Sequence, residues 1–276
     1  MHKVDPPFPE AMPDRLFDYI LENDVVTEDC VPPADIPMQF SDTEIVDAFR
    51  LARQLFSRRL DINLFRRLTA TLAIKSDLSA PDRLAFKHAR AKFKQVRFAK
   101  ANFDKRHVYP PCLNLTTAVL GHLQDDFKNG HSVRTRARGV LACALLSPVP
   151  FMLILRELRD FRPVSADGLR EWTGDENRRL QNIMAKPELT AREFHSTRKI
   201  ISRRVSLYDT LRVITPSPAL DQTSRFLATL NGLMGALHDK LVEEKARGAR
   251  DYNNEVFPMP RNIRDRLTAL VAALGQ

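Results

Sequence analysis

Two stretches of this chain resemble each other, and this apparent repeat constrains the fold more than any other feature of the sequence. The basic segment 87–97 is followed at 120–125 by Leu-Gly-His-Leu-Gln-Asp, and the basic segment 195–204 is followed at 234–239 by Met-Gly-Ala-Leu-His-Asp. Both later segments share the pattern Gly-x-Leu-x-Asp. The duplication predicts one supersecondary unit used twice, with two basic helices that face a shared groove suited to an anion.

The composition favours helices over sheets. The 276 residues include only 9 Gly, 4 Tyr and 1 Trp, and no run alternates apolar and polar residues as a half-buried strand would. The predicted fold class is therefore all-α: a duplicated helical bundle of two four-helix-like units, with an N-terminal Pro-rich acidic arm and extra helices.

Prolines and capping residues divide the chain into predicted segments. Residues 1–40 hold seven prolines and read as an arm with one short helix from Asp14 to Asn23. Ser41 and Glu44 form a capping box that starts a helical extension over 41–79, and the bundle follows over 80–276. A second capping box joins Thr190 and Glu193. The predicted helices after the first capped one cover 62–76, 80–106, 111–128, 132–146, 149–160, 167–185, 190–214, 218–247 and 262–274.

The charge is unevenly distributed along the chain. Residues 1–40 carry nine acids and two bases, a net charge of −7, whereas the remaining 236 residues carry 41 bases and 25 acids, a net charge of +16. A body with this charge should attract polyanions, and less strongly as salt is added.

The sequence also bears on compartment. The three cysteines are far apart and lack metal-ligand spacing, as is typical of a reducing compartment. There is no apolar run long enough to span a bilayer and no leader pattern. We therefore expect a cytoplasmic protein without a membrane partner; its oligomeric state is left open.

Each basic segment forms a cationic row on one helical face. With 100° per residue, His195, Arg198, Lys199 and Arg203 fall on one side of the later helix, opposite an apolar stripe. The earlier helix carries a similar row: Lys87, Arg90, Lys94 and Arg97. A positive group at about every 5.4 Å turn suits a repeating linear polyanion, and arginine binds phosphate oxygens in bidentate fashion.

Over residues 80–250 the chain resembles the CHAD domain family, helical domains built from two related four-helix units. Members show His-x-x-Arg followed by further bases, and later a Gly-x-x-x-Asp-like segment in each unit. His195, Arg198, Arg203 and Arg204 match this pattern in the second repeat. In the first repeat Arg90, Lys94 and Arg97 match, while Lys87 replaces the histidine. Ser202 and Val205 stand where the family usually has bases.

The resemblance implies binding of inorganic polyphosphate in the cationic groove, with no catalysis and no cofactor. The predicted ligand-binding residues share a position on one of the two basic rows or on the arginine-rich helix that follows the first repeat: Lys87, Arg90, Lys94, Arg97, His195, Arg198, Lys199, Arg203, Arg134 and Arg138. Arg136 belongs to the same lesser group as the last two.

Two alternatives remain. The segment from Asp125 to Asn129, followed by Arg134, Arg136 and Arg138, is similar to the first aspartate-rich motif of polyprenyl diphosphate synthases, which bind Mg²⁺ and diphosphate. Asn129 replaces an acid of that motif. Nucleic-acid binding is the other alternative, although most of the 16 Phe fall on apolar faces, where they are not available for base stacking.

Overall fold

A computed structural model describes residues 6–28 and 30–274. The fold is all-α, as predicted, with eleven helices and one small sheet among the described residues. The elements in chain order are α1 (Ala11–Leu21), α2 (Asp42–Arg59), α3 (Ile62–Lys75), α4 (Ala80–Phe103), α5 (Pro111–Lys128), α6 (Ser132–Leu145), α7 (Pro148–Arg159), α8 (Ala166–Met184), β1 (Glu188–Thr190), α9 (Ala191–Ile214), α10 (Pro218–Ala246), β2 (Val256–Pro258) and α11 (Arg261–Leu274).

The capping residues set the helix starts. The backbone amide of Ser41 donates to the Glu44 carboxylate at 2.7 Å, and the Glu44 amide donates back to the Ser41 hydroxyl at 3.2 Å. Thr190 and Glu193 form the same reciprocal pair before α9. Ser217 caps α10, whose first residue is Pro218. Both predicted capping boxes are therefore confirmed.

Three local features differ from the sequence prediction. Helix α1 begins at Ala11 rather than Asp14, because Pro13 is tolerated in a first turn. Helix α4 ends at Phe103 rather than near residue 106, since the Lys105 amide donates to the Arg162 carbonyl at 2.8 Å. Strands β1 and β2 pair antiparallel, but three residues each are too few to show a strand period.

The described chain forms two compact units, each with its own core. Unit 1 consists of residues 6–17 and 46–164, and unit 2 of residues 18–28, 30–45 and 165–274. The predicted division into an arm, an extension and a bundle that starts at residue 80 remains a prediction.

Unit 1 contains a closed four-helix circuit. Helix α3 packs on α4, α4 on α5, α5 on α6, and α6 returns to α3. Phenylalanine rings fill the interior: Phe65 lies 5.1 Å from Phe86 and 5.7 Å from Phe93, between ring centroids. These rings are fully buried, which confirms the prediction that they serve the core.

Unit 2 repeats the order of helix neighbours. Helix α8 packs on α9, α9 on α10, α10 on α11, and α11 returns to α8. Residues from the N-terminal arm cover α10: Asn231 donates to the Asn23 carbonyl at 2.8 Å, and a Cβ added to Gly232 would lie 2.3 Å from the Asp24 carbonyl oxygen. This part of the arm is packed on its unit. Lys3, Asp5 and Asp29, which were counted in the arm's charge, lie outside the described residues.

Within the described residues, no individual helix combines the length and the apolarity needed to cross a bilayer. Helices α6 and α7 satisfy that criterion only when they are taken together, and the chain bends by 64° between them.

Candidate functional site

The basic row of α4 lies in the central part of the helix, from residue 87 to residue 97. Lys87 is exposed, and Arg90, Lys94 and Arg97 are partly exposed, whereas every residue from Phe98 to Phe103 is buried. The row is therefore accessible along its predicted length in unit 1. It ends where the helix enters the core.

Arg90 lies against the backbone of α5. Its Nη1 donates to Gln124 Oε1 at 3.3 Å, and a Cβ added to Gly121 would lie 3.1 Å from its Nη2. Because glycine has no side chain, the guanidinium occupies space that any other residue would take. We call this arrangement the first Arg–Gly contact.

The other two bases near the end of the α4 row pack on aromatic rings. Lys94 Nζ lies 5.7 Å from the Phe98 ring centroid, and the Arg97 guanidinium lies 4.7 Å from that of Tyr109. Arg97 also donates to Asn114 Oδ1 at 3.1 Å. These contacts hold the charged groups in defined positions while leaving part of each side chain exposed.

Unit 2 contains a corresponding arrangement on α9 and α10. A Cβ added to Gly235 would lie 3.2 Å from Arg198 Nη2 and 3.7 Å from its Cζ. Arg198 is partly exposed and the adjacent Lys199 is exposed. We call this the second Arg–Gly contact; its arginine and glycine occupy the same places in the two repeat motifs as Arg90 and Gly121.

His195 stacks on His238, which belongs to α10. The two imidazole centroids are 4.4 Å apart with an interplanar angle of 29°, and His238 Nε2 lies 3.2 Å from the Tyr252 hydroxyl. No role was predicted for His238 from the sequence. The repeat offered a signal for it, because Gln124 and His238 each follow the motif glycine by three residues, and Gln124 contacts the motif arginine.

His195 is not a cation at neutral pH. Burial, followed by the nearby His238, Lys199 and Arg198, lowers the pKa of His195 from 6.5 to about 3. Its Nδ1 is buried without a hydrogen-bond partner among the described residues. The ring therefore contributes a polar edge, and the positive charge here comes from Arg198 and Lys199.

The His195 shift predicts a loss of stability in acid. In the unfolded chain His195 binds a proton near pH 6.5, but in the folded chain it does so only near pH 3. The contribution of neutral His195 to the free energy of unfolding is therefore complete above about pH 6.5 and is lost as the pH falls. Between pH 7 and pH 5 we expect the wild type to lose about 1 kcal/mol more than His195→Gln, a value reduced because the ring is only partly buried. Denaturant unfolding at both pH values measures this difference. Equal losses would contradict it.

On α9 the solvent-accessible part of the predicted cationic row does not include Arg203. Arg203 is mostly buried, forms a hydrogen-bonded ion pair with Glu176 on α8, and lies over the Trp172 ring. Arg204 is fully buried, with its Nε 3.7 Å from Glu176 Oε2. Both guanidinium groups thus share one carboxylate, that of Glu176, within unit 2. The sequence prediction considered one helix alone and could not include an acid buried on another.

The arginines of α6 have different surroundings. Arg134 and Arg136 are exposed, whereas Arg138 forms an ion pair with Asp126, which is 7% exposed at its side chain. Asp126 therefore does not present a free carboxylate beside Asp125, as the magnesium motif of a prenyl diphosphate synthase requires. Among the residues that the structure describes, no group of three or more His, Cys, Asp or Glu side chains is placed to hold a metal ion.

Comparison of this chain with protein-family models, with curated proteins and with solved structures finds no match. The resemblance to the CHAD domain family remains an inference from the residues quoted above.

Proposed function

We propose that this protein binds inorganic polyphosphate, or a similar linear polyanion, without catalysing a reaction. The observation that carries the proposal is the recurrence of the Arg–Gly contact. In each unit an arginine of the basic helix lies against a motif glycine on the next helix, and a Cβ added to that glycine would lie 3.1 Å from the arginine Nη2 in unit 1 and 3.2 Å in unit 2. Such a recurrence favours a common ligand chemistry over two unrelated surface charges.

The chemistry of these contacts suits phosphate. A guanidinium held against a helix loses less conformational freedom when it binds an anion than an extended one does. Lys87 precedes Arg90 by almost one turn and Lys199 directly follows Arg198, and both lysines are exposed. Each unit thus combines a positioned donor fork with a solvated point charge, which together can contact neighbouring phosphates of a chain.

The helix order supports the proposed duplication and the family resemblance. The circuit α3, α4, α5 and α6 has the same neighbours as the circuit α8, α9, α10 and α11. In both circuits the second helix carries the basic row and the third carries the glycine. We infer that α3 and α8 are the first helices of two related four-helix units.

A competition titration tests the proposal. Labelled polyphosphate is displaced by duplex DNA, single-stranded RNA or a prenyl diphosphate with Mg²⁺, each at low and at moderate salt. We expect polyphosphate to be preferred and its affinity to fall with salt by about one logarithmic unit per contact for each tenfold rise in salt. Stronger binding of DNA or RNA would favour the nucleic-acid alternative, and Mg²⁺-dependent release of pyrophosphate would establish the enzyme.

A further inference from the structure

Helices α6 and α7 expose apolar side chains to solvent. Val133 is 81% exposed and Val149 is 70% exposed, and neighbouring large apolar residues are exposed as well. We call the following set the apolar face: Val133, Val140, Leu141, Val149, Met152 and Leu153. Exposed apolar residues scattered singly are common, but six within 21 residues of two consecutive helices require an explanation.

The apolar face of α6 lies opposite the side that packs in the core. Thr135, Gly139 and Ala142 are buried, and a Cβ added to Gly139 would lie 2.6 Å from the backbone nitrogen of Ala73 on α3. At 100° per residue, Val133 and Val140 project roughly 130–155° away from the mean direction of these buried positions. The apolar residues on this side of α6 therefore do not belong to the core of unit 1.

The surrounding charges are positive. Exposed arginines stand on both sides of the α6 strip, at Arg134 and Arg136, and on the last turn of α7, at Arg156 and Arg159. Residues 132–159 contain one acid, Glu157. Its carboxylate accepts hydrogen bonds from the backbone amides of Cys112, at 2.8 Å, and Leu113, at 3.0 Å, so it caps α5.

We propose that the apolar face docks peripherally on a bilayer surface that contains anionic lipids. Protruding aliphatic side chains can enter the boundary between headgroups and acyl chains, while the flanking arginines bind phosphate and carboxylate groups of the lipids. A second copy is disfavoured, because the same arginines would face one another.

This proposal revises the expectation that no membrane is among the partners. That expectation depended on the absence of a spanning segment, and peripheral docking needs none. The proposal does not depend on the two Arg–Gly contacts, since it uses neither Arg90 nor Arg198.

Cosedimentation with vesicles tests the docking. The probes are vesicles of phosphatidylcholine alone and of equimolar phosphatidylcholine and phosphatidylserine. The variant Val140→Ser/Met152→Ser keeps every charge and should bind the anionic vesicles about tenfold more weakly than the wild type. A matched control, Leu84→Ser/Leu115→Ser, removes two apolar residues that are also exposed but lie on α4 and α5, and should bind like the wild type.

Three outcomes would overturn the proposal. In the first, the wild-type protein binds neither kind of vesicle. In the second, the Val140→Ser/Met152→Ser variant binds as well as the wild type, which would mean that vesicle binding depends on net charge and not on the apolar side chains. An acidic amphipathic peptide could bind where vesicles do not, which would assign the face to a protein partner. Arg90→Gln/Arg198→Gln leaves the apolar face intact and should retain most vesicle binding. Vesicle binding therefore tests the docking whether or not the protein binds polyphosphate.

Discussion

Replacing Glu176 by alanine should lower the free energy of unfolding of unit 2 by about 3–5 kcal/mol. The side chain of Glu176 is 1% exposed and faces two guanidinium groups, those of Arg203 and Arg204. Its removal leaves Arg204 buried, and among the described residues the acceptors that remain are the Thr173 carbonyl and the Asn177 side chain. Trp172, which is the only tryptophan and contacts Arg203, provides a fluorescence probe of this unit during denaturant unfolding.

The neighbouring residue provides a matched control. Asp175 precedes Glu176 on α8 and also pairs with an arginine, Arg178, but the side chain of Asp175 is 47% exposed. Asp175→Ala should therefore cost less than about 1 kcal/mol. Similar losses of the free energy of unfolding in the two variants would mean that the buried ion pairs of Glu176 with Arg203 and Arg204 stabilise unit 2 no more than an exposed ion pair does.

Replacing both Arg90 and Arg198 by glutamine should weaken polyphosphate binding at least about 100-fold at low salt, because each charge-assisted hydrogen bond to phosphate contributes roughly 1.5–3 kcal/mol. Calorimetric titration measures the loss, and circular dichroism verifies that the variant is folded. A matched control, Arg67→Gln/Arg179→Gln, removes one exposed charge from α3 and one from α8 and should weaken binding far less. Equal effects of the two double variants would show that only net charge matters.

Substitution of the two motif glycines tests the position of each guanidinium group without changing its charge. Gly121→Ala/Gly235→Ala keeps both arginines but places a methyl group 3.1–3.2 Å from their Nη2 atoms, so each guanidinium must shift. Alanine is the better helix former by about 1 kcal/mol per site, so stability should stay constant or rise. Affinity should nevertheless fall by roughly fivefold. A gain in stability with unchanged affinity would contradict a positioning role for the glycines.

The helices could be predicted because residues close in sequence determine where each helix begins. Ser41 with Glu44, Thr190 with Glu193, and Ser217 before Pro218 each fix a start through neighbouring backbone groups. The pairing of β1 with β2 could not be predicted, since three-residue strands 68 residues apart carry no period and depend on tertiary contacts.

The candidate site was predictable in part for the same reason. Periodicity within one helix places Lys87 and Arg90 on an accessible face. It cannot show that Arg203 meets the buried carboxylate of Glu176, or that His238 stacks on His195, because both contacts join different helices. The sequence of one helix therefore predicts which basic residues are accessible only where no second helix packs against them.

The most direct test of the account follows the guanidinium groups themselves during a polyphosphate titration. In nitrogen-15 NMR spectra the Nε–Hε signals of Arg90 and Arg198 should shift and saturate as polyphosphate is added. The signals of Arg203, paired with Glu176, and of Arg178, paired with Asp175, should stay in place. Unmoved signals from Arg90 and Arg198 at saturating polyphosphate, or equal shifts of all four arginines, would contradict phosphate binding at the two Arg–Gly contacts.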